Sequence, residues 1–256
     1  TRINQPTGIL LLFLPCLFGA ALAAKQNPGI NPYELLRIIL LFLVGSIIMR
    51  SAGCIVNDLA DRHVDGFVKR TANRPLVTKA VSVKEAIVLF ILLCLAAFLL
   101  VLQLNLFTIL LSFVGLALAA VYPFLKRITH LPQLGLGLAF SFSIPMAFAA
   151  VQNHIDFSAW CFFGTMLLWP IIYDTQYAMV DRDDDVKVGI KSTAILFGKA
   201  DTFILAILQI IFLLALVAIG LLFQLTSPFY VSLILVAGLF LYQGKLIQHR
   251  DRERCF

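Results

Sequence analysis

The sequence predicts an all-α membrane protein, built as a polytopic bundle of transmembrane helices. Hydrophobic residues make up 61% of the 256 positions and charged residues only 13%, with a mean hydropathy of +0.95. A soluble domain is about half apolar and about a quarter charged. The apolar residues form eight runs, each close to the roughly 20 residues that a membrane-spanning helix needs. Because the runs lack the alternation of strands, we predict helices and one transmembrane domain over residues 1–256.

The predicted spans follow one another with short connections. They cover residues 8–24, 36–56, 84–103, 106–125, 131–150, 156–176, 200–224 and 227–247. The breaks at Gln103–Asn105 and Lys126–Pro132 are tight, which predicts antiparallel neighbours. Acidic clusters follow the second and the sixth span, which run in the same direction. This spacing predicts two four-helix halves that face each other around a central cavity.

Basic residues are unevenly divided between the two sides of the predicted bundle. One side receives Arg2, the residues from Arg62 to Lys84, Lys126, Arg127, the residues from Arg182 to Lys199, and those from Lys245 to Arg254. The other side receives Lys25 and Arg37. Such asymmetry indicates that the first side is cytoplasmic. It also explains the net charge of +6 without nucleic acid as a partner.

The first acidic cluster lies in the stretch NDLADRHVDGFVKRTANRPL, from Asn57 to Leu76. If the second helix continues through it, Asn57, Asp61 and Asp65 share one face, because they are four residues apart. Asp58 then points elsewhere. The second cluster repeats this spacing with Asp181 and Asp185.

A divalent cation would explain why carboxylates gather at these helix ends. Like charges one turn apart repel each other, and the C-terminal end of a helix dipole favours cations. Mg²⁺ binds one or two carboxylates and completes its shell with water and phosphate oxygens. We therefore predict a magnesium–diphosphate site, against the alternative that the acidic residues only solvate loops. The nearby cations are interpreted either as topology signals or as phosphate ligands; they are Arg70, Arg74, Lys126, Arg127, Lys187 and Lys191.

Arg50 is a charged residue inside the second predicted span. It precedes Asn57 by seven residues, which places it two turns deeper on nearly the same face, about 10 Å by helical rise. Asp174 has the same offset before Asp181. An arginine at this depth requires an anion or a carbonyl group. It could pair with Asp174, or bind a substrate carboxylate below the metal site, which we favour.

These motifs resemble the intramembrane aromatic prenyltransferase superfamily. Its signatures NDxxDxxxD and RTxxRPL match NDLADRHVD and RTANRPL, and its DxxxD motif matches Asp181 to Asp185. The stretch YDTQYAMVDRDDDVKVGIKSTAILFG is most similar to the 4-hydroxybenzoate polyprenyltransferases of ubiquinone biosynthesis. The resemblance covers essentially the whole chain. The family has nine membrane helices, which implies that this chain lacks a short N-terminal segment and the ninth helix.

The resemblance implies a function and a set of site residues. The expected reaction is Mg²⁺-dependent transfer of a polyprenyl group from polyprenyl diphosphate to the carbon ortho to the hydroxyl of 4-hydroxybenzoate, with release of diphosphate. The expected catalytic and metal-binding residues are Asp61, Asp65, Asp181 and Asp185, with Asn57 assisting at the metal. The substrate-binding residues that the resemblance implies are Arg50, Asn57, Arg70, Lys126 and Arg127. We add Asp174, Tyr177 and Lys191 as substrate-binding candidates from their positions in and beside the second cluster. Tyr122, Tyr173 and Tyr177 are candidates to stabilise an allylic cation.

The expected setting is the lipid bilayer of a bacterial inner membrane, with the active site facing the cytoplasm. We expect neither a nucleic-acid partner nor an obligate protein partner. Two alternatives remain at this point. The first is a prenyltransferase of the same superfamily with another aromatic acceptor, and the second is a membrane transporter. Against the transporter, the charged groups gather at one membrane face rather than at the midplane.

Overall fold

The computed structural model describes residues 6–62, 66 and 71–250, and within them it contains ten α-helices. The helices are α1 (Thr7–Gln26), α2 (Pro32–Asp61), α3 (Val83–Val101), α4 (Leu106–Ile128), α5 (Pro132–Ser141), α6 (Ser143–Gln152), α7 (Phe157–Val188), α8 (Thr193–Phe197), α9 (Asp201–Leu222) and α10 (Ser227–Leu246). The all-α prediction is therefore confirmed.

Polar side chains fix where several of these helices begin. The side chains of Asn31, Asn105 and Asp156 each accept a hydrogen bond from a backbone N–H in the first turn of α2, α4 and α7. At α3, Ser82 and Glu85 form a reciprocal capping box. Such caps satisfy N–H groups that have no partner within the helix. The helix starts therefore follow from short polar signals between the apolar runs.

Seven helical segments are long and apolar enough to cross a membrane, among the residues that the structure describes. The predicted sixth span lies in α7, a 32-residue helix whose second half carries the polar residues of the second acidic cluster. The predicted fifth span is broken at Phe142 into α5 and α6. Pro145 explains the break, because it lacks the N–H group that would bond the carbonyl of Ser141.

The helices pack into one bundle with its outer faces exposed. α1 packs against α6 and α2, α5 packs against α4 and α7, and α9 packs between α7 and α10. One apolar cluster is centred on α1 and α6, and a second joins α7, α9 and α10. The outward faces of α3, α4, α9 and α10 expose many large apolar side chains. Together with the seven spanning segments, these faces make the chain an integral membrane protein.

Candidate active site

A cavity of about 1470 Å³ is lined by residues of all seven helices from α1 to α7, and both acidic clusters contribute side chains to it. Asp61 at the end of α2 and Asp181 in α7 both line it, so the two acidic clusters share one cavity. The other charged or amide side chains that line it are Arg50, Asn57, Asn73, Arg74, Lys126, Gln133, Asp174, Asp185 and Lys191. The cavity therefore collects most of the residues that the sequence predicted as a site.

The side chains of the first cluster point in two directions, as their spacing predicts. Asn57 and Asp61, one turn apart on α2, line the cavity. Asp58 does not line it, and its Oδ1 atom lies 3.2 Å from Nη1 of Arg74. The same Arg74 nitrogen is 4.0 Å from Oδ2 of Asp61. Asp65 and Arg70 lie outside the described residues, so their predicted roles stay predictions.

Asp61 is held by a lysine from another helix. Its side chain is 4% exposed, and its Oδ2 atom accepts a hydrogen bond from Nζ of Lys126, in the last turn of α4. The second oxygen, Oδ1, is buried and has no hydrogen-bond partner among the described residues. A buried acceptor without a partner is costly, so this oxygen is suited to an incoming cation.

The described residues contain no cluster of three acidic, histidine or cysteine side chains that could hold a metal ion alone. Mg²⁺ does not require one, because it is usually bound through one or two carboxylates plus substrate phosphates and water. Asp61 from one side of the cavity and Asp181 from the other are hard oxygen donors of this kind. The donor set therefore fits a magnesium ion that arrives with a diphosphate.

The second cluster is carried by a continuation of α7. This helix extends about three turns beyond the predicted span and ends at Gly189, whose φ of +73° is the left-handed conformation typical of a helix C-terminus. Tyr177, Asp181 and Asp185 lie one turn apart and all line the cavity. Asp183 between them is exposed and does not line it. The i, i+4 spacing therefore aims two carboxylates inward.

A second polar layer lies deeper in the cavity, around Arg50 and Asp174. The guanidinium of Arg50 packs directly on Gly8 of α1, where an added Cβ atom would lie 2.3 Å from Nε. The Oδ2 atom of Asp174 accepts a hydrogen bond of 3.2 Å from Nε2 of Gln133. Arg50, Asp174 and Gln133 all line the cavity. Arg50 and Asp174, each seven residues before a residue of an acidic cluster, therefore lie in the same cavity.

Two of the predicted cations have other contacts. Arg127 does not line the cavity; its Nη2 atom donates a hydrogen bond to the carbonyl of Ala60 and so fastens α4 to the end of α2. Lys187 lies 3.5 Å from Asp184 and is also outside the cavity lining. Lys191 does line it, with its Nζ atom donating to the carbonyl of Ile128 at 3.0 Å.

From the polar chamber the cavity continues into an apolar arm. On α4 its lining runs from Lys126 to Ser112, about 21 Å along the helix by rise per residue. It reaches Leu104 in the connection between α3 and α4. Phe98, Phe113, Phe142 and Met146 are among the side chains that line this arm. Such a channel can bind a long hydrocarbon chain while its charged end stays beside the carboxylates.

Two site residues were missed by sequence reasoning. Gln133 and Gly8 lie in apolar runs. Their places in the site depend on contacts between different helices, which helical spacing does not reveal.

Residues 12–256 match the UbiA prenyltransferase family. The chain belongs to this family. Its membership confirms the resemblance found in the motifs and decides for a prenyltransferase against a transporter.

Relatives of this UbiA family member include curated enzymes. The chain is 54% identical to the 4-hydroxybenzoate octaprenyltransferase of Vibrio atlanticus, over 100% of the chain and 88% of that protein. It is 56% identical to the protein of the same name from Escherichia fergusonii, over 100% of the chain and 86% of that protein.

Two solved UbiA structures share its fold. The apo UbiA homologue of Aeropyrum pernix K1 has a TM-score of 0.84 at 24% identity, over 100% of this chain and 93% of that one. The homologue of Archaeoglobus fulgidus bound to GPP and Mg²⁺ has a TM-score of 0.71 at 20% identity, over 96% and 88%.

Proposed function

We propose that this protein transfers a polyprenyl group from polyprenyl diphosphate to the ring carbon ortho to the hydroxyl of 4-hydroxybenzoate, in a Mg²⁺-dependent reaction of ubiquinone biosynthesis. The observation that carries the proposal is one cavity with carboxylates of both acidic clusters at its mouth and an apolar arm below them. The relatives named 4-hydroxybenzoate octaprenyltransferase support this acceptor and a prenyl chain of eight isoprene units. The relative bound to GPP and Mg²⁺ supports the metal.

The residues at the mouth would bind the diphosphate and its metal. Asn57, Asp61, Asp181 and Asp185 would hold Mg²⁺, together with Asp65 as predicted from its motif. When bound, Mg²⁺ neutralises charge on the diphosphate leaving group. Lys126, Arg74 and Lys191 bring further positive charge to the same leaving group. Breaking the allylic C–O bond leaves its electron pair on the diphosphate. The ortho carbon of the ring then bonds the allylic carbon, and the proton that this ring carbon loses can be accepted by the released diphosphate.

The deeper layer would bind the aromatic acceptor. The guanidinium of Arg50 can pair with the carboxylate of 4-hydroxybenzoate, and the carboxylate of Asp174 can accept a hydrogen bond from its hydroxyl. Tyr122, Tyr173 and Tyr177 line the same cavity and offer aromatic faces to the allylic cation. The surrounding helices keep water away from this cation.

The membrane setting of the proposal follows from the distribution of charge. The C-terminal ends of α2 and α4 are joined by the pair of Asp61 and Lys126, and the N–H of Lys191 after α7 donates to the carbonyl of Lys126. These ends border the Lys- and Arg-rich connections. We infer a bacterial inner membrane with this mouth on the cytoplasmic side. The prenyl tail would lie in the apolar arm. The reaction as proposed needs no protein partner.

The test is a prenyl-transfer assay on membranes that contain the protein. Membranes are supplied with octaprenyl diphosphate, 4-hydroxybenzoate and Mg²⁺, and both prenylated product and diphosphate are measured. We expect both to form in equal amounts, and EDTA to abolish both until Mg²⁺ is restored. Product from another phenolic acid but none from 4-hydroxybenzoate would refute the proposed acceptor.

A matched pair of variants tests the second carboxylate cluster. Asp185→Asn removes a charge that lines the cavity, and Asp183→Asn removes a charge from the exposed face two residues away. We expect the first to lower kcat/KM at least about 100-fold, which corresponds to roughly 2.7 kcal/mol of transition-state stabilisation, and the second to stay near wild type. Equal activity of the two variants would contradict the metal assignment.

A further inference from the structure

We infer that Gln133 is a positioning residue for the acceptor half of the reaction, because it sets the orientation of Asp174 in the cavity. The inference rests on the proposed function, in which Asp174 contacts 4-hydroxybenzoate. Gln133 is the second residue of α5 and its side chain lines the deep chamber beside Asp174. Only 3% of the residue is exposed.

The two ends of the Gln133 amide have different and unambiguous partners. Its Oε1 atom accepts a hydrogen bond of 3.0 Å from the backbone N–H of Thr193, which can only donate. Its Nε2 atom donates to Oδ2 of Asp174 at 3.2 Å, and an ionised carboxylate can only accept. The reverse orientation of the amide would lose both bonds. A side chain with one donor and one acceptor is therefore required at this position.

These bonds tie Asp174 to a fixed part of the fold. The hydroxyl of Thr193 lies 2.6 Å from that of Thr175, and the Thr175 hydroxyl also donates to the carbonyl of Ile171 at 2.6 Å. Thr175 and Thr193 are both fully buried. Gln133 thus connects the start of α5, the middle of α7 and the start of α8. The amide that donates to Asp174 is thus itself held in place by its second hydrogen bond, from the backbone N–H of Thr193.

Replacing Gln133 by leucine would remove the donor without adding a charge. The carboxylate of Asp174 could then take another rotamer, and the N–H of Thr193 would lose its acceptor. We expect Gln133→Leu to raise the KM for 4-hydroxybenzoate about tenfold, the cost of a charge-assisted hydrogen bond, and to leave the KM for octaprenyl diphosphate within about twofold. This split separates positioning of the acceptor from general damage to the cavity.

Gln133→Glu supplies a second readout, because a neutral carboxylic acid can make the same two hydrogen bonds as the amide. In its ionised form, the introduced carboxyl group would place a second negative charge beside Asp174 and would have no hydrogen to donate. In its protonated form, its O–H can donate to Asp174 while its C=O accepts from Thr193. Repulsion by the neighbouring carboxylate favours the protonated form. The activity deficit of Gln133→Glu should therefore shrink as the pH is lowered.

This pH profile is measured as the ratio of variant to wild type, because other groups of the cavity can titrate too. Asp174 and Tyr173 belong to α7, Tyr122 and Lys126 to α4, and Arg50 to α2. The groups that residue 133 does not contact are present in both proteins, so their effects cancel in the ratio. Asp174 contacts residue 133, so it titrates together with the introduced carboxyl group as a coupled pair, and the ratio reports that pair. Gln133→Leu introduces no titratable group and should show a constant ratio.

The control is Gln209→Leu. Gln209 is also a buried helical glutamine, 6% exposed, and its Nε2 atom donates to Gln243 at 3.4 Å, but it does not line the cavity. It should leave both KM values unchanged. The inference is overturned if wild type prenylates 4-hydroxybenzoate while neither Gln133 variant raises the KM for this acid, or if the Gln133→Glu ratio does not rise at low pH. A wild-type protein inactive on 4-hydroxybenzoate would instead refute the proposed function.

Discussion

At the scale of single residues, the two oxygens of the Asp61 carboxylate have different surroundings. Its Oδ2 atom pairs with Lys126, and its buried Oδ1 atom has no hydrogen-bond partner among the described residues. The pair fixes the direction of the side chain, and the second oxygen is then available to a cation. A buried ion pair of this kind contributes little net stability, yet breaking it is costly because one charge remains uncompensated. Lys126 would thus both orient Asp61 and bring positive charge to the diphosphate.

The first prediction concerns this pair. Lys126→Met leaves the buried Asp61 charge without its nearest partner and should destabilise the protein by about 3 kcal/mol. The double variant Asp61→Asn/Lys126→Met removes both charges and should recover most of this stability without recovering activity. Thermal unfolding in detergent and the prenyl-transfer assay measure the two effects. A double variant less stable than Lys126→Met would show that the pair is not the source of the cost.

The second prediction concerns Gly8. An added methyl group would lie 2.3 Å from Nε of Arg50, so Gly8→Ala must displace the guanidinium. If Arg50 binds the carboxylate of 4-hydroxybenzoate, Gly8→Ala should raise the KM for this acid about tenfold or more, with little change in the KM for the prenyl diphosphate.

Gly164→Ala is the matched control for this change. It adds a methyl group to a membrane helix where nothing lies within 4 Å. A double-mutant cycle then asks whether Gly8 acts through Arg50: in an Arg50→Met background, Gly8→Ala should have almost no further effect on the KM. Additive effects of the two substitutions would contradict this interpretation.

At the scale of secondary-structure elements, the sequence predicted the helices well wherever apolar runs end in polar caps. The predicted run 106–125 lies within α4 because Asn105 caps its start. The predicted sixth span ends at residue 176, because the residues after 176 are polar and hydropathy does not extend the span into them. They remain helical up to Gly189. This extension carries Asp181 and Asp185 into the cavity, which their i, i+4 spacing had indicated.

The parts of the site that could not be predicted depend on contacts between distant segments. The spacing of Asp61 and Asp181 indicated chemistry on one side of each helix, and the resemblance indicated their shared ligand. Nothing in the local pattern indicated that Lys126 reaches Asp61, or that Arg127 bonds the carbonyl of Ala60 instead of lining the cavity. Such pairings are set by how α2 and α4 pack, and packing is not encoded in the period of one helix.

The third prediction concerns the cap of α4. The Oδ1 atom of Asn105 accepts from the N–H and the hydroxyl of Thr108, both at 2.9 Å, and its Nδ2 atom donates to the carbonyl of Ala149 at 2.7 Å. This side chain therefore caps α4 and also joins it to α6. Asn105→Ala should lower the free energy of unfolding by about 2 kcal/mol, above the roughly 1 kcal/mol of an ordinary cap.

Ser82→Ala is the control for this cap, because Ser82 caps α3 with exposed hydrogen bonds and without a contact to another helix. Thermal unfolding in detergent should show a larger drop in Tm for Asn105→Ala than for Ser82→Ala. Because Asn105 does not line the cavity, its KM values should stay unchanged. Equal losses of stability in the two variants would mean that the bond to Ala149 contributes nothing.

At the scale of the whole molecule, both apolar clusters border the cavity, through Phe42 and Leu104 of the first and Ala178 of the second. One cluster is centred on α1 and α6, and the other joins α7, α9 and α10. The carboxylates and cations of the cavity come from α2, α4 and α7 and from the segments that follow α2 and α7. Their mutual position therefore depends on how these helices are held together, and a ligand that bridges them should stabilise the whole bundle.

The fourth prediction is that prenyl diphosphate and Mg²⁺ raise the Tm far more together than either does by itself. A ligand that binds only the folded protein adds about 2.7 kcal/mol to the free energy of unfolding at a concentration of 100 times its Kd. Mg²⁺ without diphosphate meets too few protein ligands, because no group of three acidic, histidine or cysteine side chains gathers within the described part of the chain. Diphosphate without Mg²⁺ meets the carboxylates of Asp61, Asp181 and Asp185, which repel it.

The joint shift in Tm should therefore exceed the sum of the separate shifts in wild type and in Asp183→Asn. In Asp185→Asn this excess should be lost. Additive shifts in wild type would mean that metal and diphosphate bind at separate places, and the carboxylates of the two clusters would then need another explanation.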